Sequence, residues 1–458
     1  MTCQPSRAKP CSLRLAAFAA ALAPAFAACA PWAGPGASRD SAEPVRAAGP
    51  TTLDERPNIV LILADDLGYE CLNVNGGESY ETPHLDRMAA EGVNFTRCHS
   101  TPLCTPSRVQ LMTGRYSFRN YVRFGFLDPD EVTFARRFKD AGYDTAITGK
   151  WQLTYGDIDP QRPAQLGFDG WCLWNTDAPP GSRYADPRLD VDGELRVYAG
   201  AFGPDLICDH AVKLIEEERE APLFLYYPMV LPHSPFVRPP EASEGVEGLQ
   251  AKFAAMVGHM DSLVGRVLDA AASSKSDRET LVLFVGDNGT DRRVTSRWRG
   301  AGIVGGKSRM NTHGTHVPLI AWWPGRAAPA VCEDLVDFTD FVPTLCEGAR
   351  IPLPESELID GVSFLPRLLG QPHEPREWIF CHYDPRWNVP GKPGRFAQDE
   401  VHRLHQDGRL IHLESDPLGE HPVEGDGDGS RQRLKAVLDS MPPWQPPARA
   451  RRPGASKD

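Results

Sequence analysis

The 458-residue chain carries 49 Lys+Arg against 61 Asp+Glu, a formal net charge of −12, which argues against a nucleic-acid partner, since such proteins show a basic surplus or stripe. Apolar residues make up 41% and charged residues 24%, close to a globular average, so wholesale disorder is excluded as well. No apolar run reaches the ~20 residues a membrane-spanning helix needs, and the sequence reads as a soluble globular protein with one large domain and an appendage, or with two domains.

Arg7, Lys9 and Arg14 precede an Ala/Leu/Phe stretch from Leu15 to Ala28, with no acid before Asp40. A basic start, a short apolar stretch and small residues at its end describe a secretory signal. Residues 1–28 are therefore expected to be a leader, and the protein to be exported, either periplasmic or secreted. Ala27-Ala28-Cys29 resembles a bacterial lipobox, with Phe26 where Leu is usual, so a lipid anchor on Cys29 stands beside simple cleavage near Ala28. Residues 29–55, rich in Ala, Pro, Gly and Ser, read as a linker. Of the 11 cysteines, Cys71, Cys98, Cys104, Cys172, Cys208, Cys332, Cys346 and Cys381 lie beyond the leader. They include no CxxC pair, which argues against a zinc ribbon, and their spacing suggests no disulfide framework.

Asn58–Ala64 is the first of several unbroken apolar runs that end in polar residues, here Asp65-Asp66. Helical patterns follow over Thr82–Glu91, from Pro106 through Val109 to Thr113, and over Asp130–Ala141 and Pro204–Glu220. The run Leu223–Tyr227 leads to Pro232-His233-Ser234-Pro235; a helical stretch covers Leu249–Ser273, and Thr280–Val285 runs into Gly286-Asp287-Asn288-Gly289. Pro318–Pro324 is a further run. Apolar runs without alternation fit strands covered on both faces, as in a parallel sheet, and strands alternating with helices imply an α/β sandwich. Ligands of such a sheet bind beyond the carboxyl ends of its strands, so Asp65, Asp66, His233, Asp287 and Asn288 are expected to share one crevice. The Pro/Trp-rich stretch after Gly370 marks a boundary between a domain over 56–370 and a smaller one over 371–458. The latter is expected to hold a hairpin within Arg395–Leu413 and a helix at Ser430–Ser440, with Glu424–Gly429 as a solvated turn.

From Pro102 the chain reads PLCTPSRVQLMTGR. Cys104-Thr105-Pro106-Ser107-Arg108, followed by Leu111-Met112-Thr113-Gly114-Arg115, resembles the maturation signature of the sulfatase family, within the alkaline-phosphatase-like superfamily. The resemblance implies hydrolysis of sulfate monoesters, as of a sulfated carbohydrate, by a formylglycine that a formylglycine-generating enzyme makes from Cys104. It also implies a large, mostly parallel mixed sheet between helices and a small C-terminal antiparallel sheet. Residue 104 is expected near a helix N-terminus, where free N–H groups and the dipole favour anions. The aldehyde hydrate offers two hydroxyls, one to attack sulfur and one to collapse the sulfated intermediate, which expels sulfate and restores the aldehyde.

By the same resemblance Asp65, Asp66, Asp287 and Asn288, with the oxygen of modified Cys104, hold a divalent cation. Hard oxygen donors suit Ca²⁺ or Mg²⁺ better than zinc. Successive strand residues point to opposite faces, so Asp65 and Asp66 can share an ion only if the backbone turns, which Gly68 is expected to permit. Arg108, Lys150 (in Thr148-Gly149-Lys150-Trp151) and Lys307, eleven residues before Pro318, match the family's substrate-facing cations. They tip a pocket of three carboxylates, one cation and an anionic ester to slight positive charge. His233 matches the residue that contacts the ester and protonates the leaving alkoxide.

Two departures stand out. Gln152 occupies the place of a family histidine, and an amide orients but does not shuttle protons near neutral pH. Thr312-His313-Gly314-Thr315-His316 replaces a Tyr-Glu-Gly-Gly-x-Arg run, and one of its histidines is a candidate to compensate. Ala301–Ser308 satisfies a permissive Walker A pattern, but the polar stretch before it and Asn311–Gly314 after it deny the strand–helix setting that motif needs. Phosphate or phosphonate ester hydrolysis, and a catalytically impaired sulfated-glycan binder marked by Gln152, remain as alternative functions. The loop over 157–196, expected to shape the leaving-group pocket, carries no motif.

Overall fold

In the computed structural model, residues 56–154, 159–175, 182–385, 392–425 and 428–443 are described, all within a compact unit spanning 50–458. The expected leader, the lipobox at Cys29 and the linker lie outside the described residues.

The main sheet is built from β1 (Asn58–Ala64), β2 (Val93–His99), β3 (Asp144–Trp151), β4 (Gly170–Asn175), β5 (Arg188–Val191), β6 (Glu194–Val197), β7 (Leu223–Pro228) and β8 (Thr280–Gly286). A separate two-stranded ribbon of β9 (Thr295–Trp298) and β10 (Ala301–Val304) follows, and β11 (His316–Trp322) and β12 (Ala330–Asp337) complete the sheet. Its order is β12-β2-β11-β8-β1-β7-β3-β4-β5-β6. The run β8-β1-β7-β3-β4 is parallel, whereas β11 lies antiparallel to both β8 and β2.

The unbroken apolar run of β1 has a direct cause. Ile59, Leu61 and Leu63 face one core with Phe134, Phe138 and Phe341. Val60, Ile62 and Ala64 face a second with Leu85, Met88, Met256 and Val264. Each fully buried aliphatic side chain contributes ~1.5–3 kcal/mol relative to exposure, so neither face tolerates a polar residue until the strand ends. The helices α1 (Pro83–Glu91) and Leu249–Ser273 cover the second face.

The helix expected over Asp130–Ala141 is shorter, Phe134–Asp140, because Thr133 caps it by accepting a hydrogen bond from Arg136 N. That expected over Pro204–Glu220 runs Gly203–Glu216, and the strand expected over Pro318–Pro324 starts two residues earlier, at His316.

Beyond β12, an antiparallel sheet is formed by β13 (Ile379–Tyr383), β14 (Gly394–Gln398), β15 (His402–His405) and β16 (Leu410–His412), in that order. The helix Ser430–Ser440 packs Leu434 against its Ala397, Leu404 and Leu410. On its other side Ile379, Cys381, Tyr383 and Phe396 cluster with Leu103 and Cys104, so the small sheet supports the segment that carries the signature cysteine.

Candidate active site

The register of the parallel strands brings the polar tips together. Ala64 pairs with Gly286 and Leu63 with Pro228, so the residues after β1, β7 and β8 leave the sheet at one edge. Asp287 N donates to Ala64 O at 2.9 Å and Asp66 N to Asp287 Oδ1 at 3.0 Å. The backbone turn that lets Asp65 and Asp66 serve one site lies at Asp66 itself, with φ 68°, a left-handed conformation that a short acidic side chain tolerates. Gly68, expected to provide it, has an ordinary φ of −77°. Behind this turn Thr290 ties the two loops, accepting from Gly68 N at 3.1 Å and donating to the buried Glu70 at 2.6 Å.

Asp65, Asp66, Asp287 and Asn288 are all fully buried, and each carboxylate has a cation. Lys150 Nζ lies 2.9 and 2.8 Å from the two oxygens of Asp65. Arg108 donates to Asp287 Oδ2 from Nε at 3.2 Å and Nη2 at 2.9 Å, and lies 3.5 Å from Asp65. Lys307 Nζ is 2.6 Å from Asp66 Oδ2. Burial pushes Asp65 up, but Lys150, His233 and Arg108 hold it well below the usual carboxylate range. Asp287 is pushed up to about 7, by burial first and then by the charge of Asp65, against the pull of Arg108. The acid cluster is thus short of positive charge despite its three basic neighbours.

The donors fit a hard divalent cation. Asn288 Nδ2 donates to Asp66 Oδ1 at 2.8 Å and to Gly289 O at 2.9 Å, which leaves its Oδ1 buried with no hydrogen-bond partner. A buried amide oxygen without a donor is costly, and a cation among three carboxylates would satisfy it. One atom each of Asp65, Asp66 and His233 also lie within 4.8 Å of one another.

The signature cysteine begins α2 (Cys104–Thr113), with Leu103 as N-cap. Pro106 sits in the first turn, where its missing N–H is no loss. One turn on, Arg108 points from the same helix to Asp287 and Asp65, which sets the helix start against the acid cluster. Cys104 Sγ donates to Gln152 Oε1 at 3.1 Å, and Thr105 Oγ1 to the same oxygen at 3.4 Å. Burial pushes the Cys104 thiol up, partly offset by Lys150 and Lys307.

Cys104, His233, Lys307 and Ser308 line a cavity of about 330 Å³, with Phe124 and Arg292 among its walls. Burial pulls His233 down to about 4, although Asp65 and Asp66 oppose it. Its Nε2 is 3.6 Å from Asp66 Oδ2. Its Nδ1 lies 3.0 Å from Arg183 Nη1 and 2.6 Å from Ser234 O; a guanidinium only donates and a carbonyl only accepts, so one of these is the hydrogen bond at any time. Arg183 is a residue that motif reading missed. It stacks at 4.0 Å on Trp174 and reaches within 4.0 Å of Asp65, but it comes from the motif-free loop, of which residues 157–158 and 176–181 lie outside the described residues.

The histidines proposed to compensate for Gln152 go elsewhere. His313 and His316 line a separate cavity of about 590 Å³ with Tyr69, His99 and Trp298. His316 stacks at 4.0 Å on Tyr69, and its Nε2 is 2.8 Å from Thr96 O. The Walker-like stretch is the β10 strand and the turn after it, and its lysine is the one bound to Asp66. All eight described cysteines are free and buried.

The sulfatase family model matches residues 57–351. Arylsulfatase A from Homo sapiens is 33% identical over 365 residues, covering 71% of this chain and 70% of that protein. N-acetylgalactosamine-6-sulfatase from Mus musculus is 33% identical over 350 residues, 68% of this chain and 66% of its own length. Among solved structures, Ps i-CgsB in complex with k-i-k-neocarrahexaose superposes with a TM-score of 0.71 at 22% identity, over 84% of this chain and 92% of that one. PsFucS1 sulfatase from Pseudoalteromonas sp. gives 0.67 at 20% identity, over 84% and 89%. The solved structures establish the likeness of fold, and the family model and the curated relatives establish kinship. The chain belongs to the sulfatase family. Its class of activity is accordingly that of a sulfuric ester hydrolase.

Proposed function

We propose that the protein desulfates carbohydrates, using residue 104 as formylglycine and a Ca²⁺ or Mg²⁺ ion held by Asp65, Asp66, Asp287, Asn288 and the oxygen of modified Cys104. The observation that carries this reading is the placement of Cys104 at the first position of a helix whose Arg108 binds the acid cluster, in one cavity with His233 and Lys307. As a thiol, a buried Cys104 whose pKa is pushed up stays protonated at neutral pH and is a poor nucleophile, so conversion supplies reactivity that the unmodified side chain lacks. The formylglycine hydrate would supply the oxygen that attacks sulfur and the second hydroxyl that later releases sulfate. A bound cation would supply Lewis-acid stabilisation of the ester's charge.

The chain's own residues set the stage for that chemistry. Lys150, Arg108 and Lys307 fix the three carboxylates and offset their charge, which lets an anionic ester enter. His233 Nε2 faces the cluster and is the atom placed to protonate the departing alkoxide; the negative charge of a bound ester works against the burial that pulls this imidazole down. Gln152 orients residue 104 without offering a base, so the release step is expected to be slower than with histidine there.

Support for a carbohydrate substrate comes from similar structures. One, with a TM-score of 0.69 at 21% identity, was solved in complex with its substrate D-Glucosamine-2-N, 6-O-disulfate; another holds k-i-k-neocarrahexaose. The leader read from residues 1–28 supports export, and the signature around Cys104 supports a formylglycine-generating enzyme as the maturation partner.

The test is to express the full chain with that enzyme and compare sulfate and phosphate release from p-nitrophenyl esters, then from glucosamine 6-sulfate. Sulfate release well above phosphate release supports this reading. The reverse preference would assign the phosphate or phosphonate ester alternative, and binding without release by fully converted protein would assign a silent glycan binder.

A further inference from the structure

A second cavity adjoins the one that Cys104 and Lys307 line. Ser308 lines both, and the second, of about 420 Å³, is formed between the loop 308–311 and the C-terminal sheet. Ser308 is held in a left-handed backbone at φ 66°, with its N–H donating to Pro102 O at 2.7 Å and its side chain bonded to the Tyr383 hydroxyl. Strain of this kind in a non-glycine residue persists where the surroundings over-determine it, and it clusters at functional sites.

The second cavity is basic in a chain of net charge −12. Its walls carry Arg309, Lys392, Arg395 and Arg409 against Asp407 and Glu420. Two of these cations are engaged: Arg395 Nε donates to His382 Nδ1 at 3.2 Å, and Arg409 bridges Asp407 at 2.8 Å. Arg309 and Lys392 are exposed, and among the described residues neither side chain has a hydrogen bond or an ion pair. Arg292, on the catalytic side of Ser308, is exposed and unpaired in the same way. Cations left unpaired along two cavities that share the Ser308 wall raise the local concentration of anions.

We propose that the second cavity is a subsite for a further anionic group, sulfate or carboxylate, on a neighbouring sugar, so that the preferred substrate is a polyanionic oligosaccharide rather than a sulfated monosaccharide. This rests on the carbohydrate desulfation proposed above and adds which carbohydrates fit. Arg309 and Lys392 hold the second anion, Ser308 marks the ridge between the two groups, and Arg292 faces the portion of the chain that leaves.

The test uses the full chain carrying Cys104→Ala, loaded with Ca²⁺, so that binding is read without turnover. Calorimetry compares a heparin-derived hexasaccharide, glucosamine 6-sulfate and neutral chitohexaose. The sulfated hexasaccharide is expected to bind at least about tenfold tighter than the monosaccharide, equivalent to ~1.4 kcal/mol spread over two surface charge contacts. That ratio should fall towards one in Arg309→Ala/Lys392→Ala and as salt is raised, and chitohexaose should show no such gain. A ratio near one in the parent protein, or a ratio the double substitution leaves intact, overturns the proposal. Aryl sulfate turnover by the unsubstituted enzyme, measured separately, reports on the desulfation reading alone.

Discussion

Cys104 and Gln152 are hydrogen-bonded at 3.1 Å. The glutamine thus touches the signature cysteine itself, with Thr105 Oγ1 at 3.4 Å from the same oxygen and accepting from Gly125 N at 3.0 Å. Gln152 is well placed to orient residue 104, yet it cannot take a proton there, and the nearby histidines 313 and 316 face another cavity. Gln152→His is therefore expected to raise kcat for aryl sulfates, by up to about 100-fold, the lower end of general-base effects, with little change in Tm. Steady-state kinetics on fully converted protein decides the point, and a large loss of kcat would mean that the amide does something an imidazole cannot.

The acid cluster calls for a cation. Asp65, Asp66, Asp287 and Asn288 are buried, and the oxygen of Asn288 has no donor. Treatment with EDTA is expected to abolish activity and lower Tm, with both restored by Ca²⁺ or Mg²⁺. Linkage gives ~2.7 kcal/mol at a free cation concentration ~100 times Kd. Asn288→Ala should raise the concentration needed for half-restoration by roughly tenfold, which is ~1.4 kcal/mol. A Tm indifferent to chelation and re-addition would count against a bound ion.

Arg183 links the acid cluster to the wall of the site: it stacks on Trp174, contacts His233 and approaches Asp65. Arg183→Ala is expected to lower kcat/KM for p-nitrophenyl sulfate by about tenfold or more, and Arg183→Lys to recover little, since an ammonium neither stacks nor forks as a guanidinium does. Unchanged kinetics in Arg183→Ala would reduce the residue to a structural cap on Trp174.

His405 gives a pH signature away from the active site. Burial, with help from Arg403 and Arg409 and against Asp407, pulls it down to about 4. The unfolded chain binds its proton near pH 6.5, whereas the native protein refuses it until about 4. Between those values the unfolded state holds more protons, so this residue's contribution to stability is full above pH ~6.5 and is lost as pH falls towards about 4. The difference in Tm between His405→Gln and the unsubstituted protein should become more favourable to the variant from pH 7.5 to pH 4.5. A difference that stays constant would show that His405 titrates normally.

Strands β1, β7, β8 and β11 were legible because their apolar runs stop only near the strand ends, whereas β2 and β3 were not, since buried polar residues such as Asn94, Thr145 and Thr148 interrupt them. The edge where Asp65, Asp287 and His233 emerge could therefore be read from where the apolar runs stop. The cysteine signature located the helix start because proline and arginine there have distinct physical jobs. The turn at Asp66 was misassigned to Gly68, since a glycine is the default for left-handed backbone and an aspartate is not. Arg183 and the Ser308 ridge were not legible at all. Their roles depend on long-range packing, of a loop onto Trp174 and of the C-terminal sheet onto the segment behind Cys104, and neither leaves a local pattern.

The most direct test of the whole is sulfate release by residue 104. Full-length protein matured by a formylglycine-generating enzyme, its Cys104 peptide verified by mass as the aldehyde, is assayed for sulfate from p-nitrophenyl sulfate beside folded Cys104→Ala. Sulfate and p-nitrophenol should appear in equal amounts from the matured enzyme, with none above background from the variant. Equal release by the variant, or none from verified aldehyde with Ca²⁺ present, would contradict it.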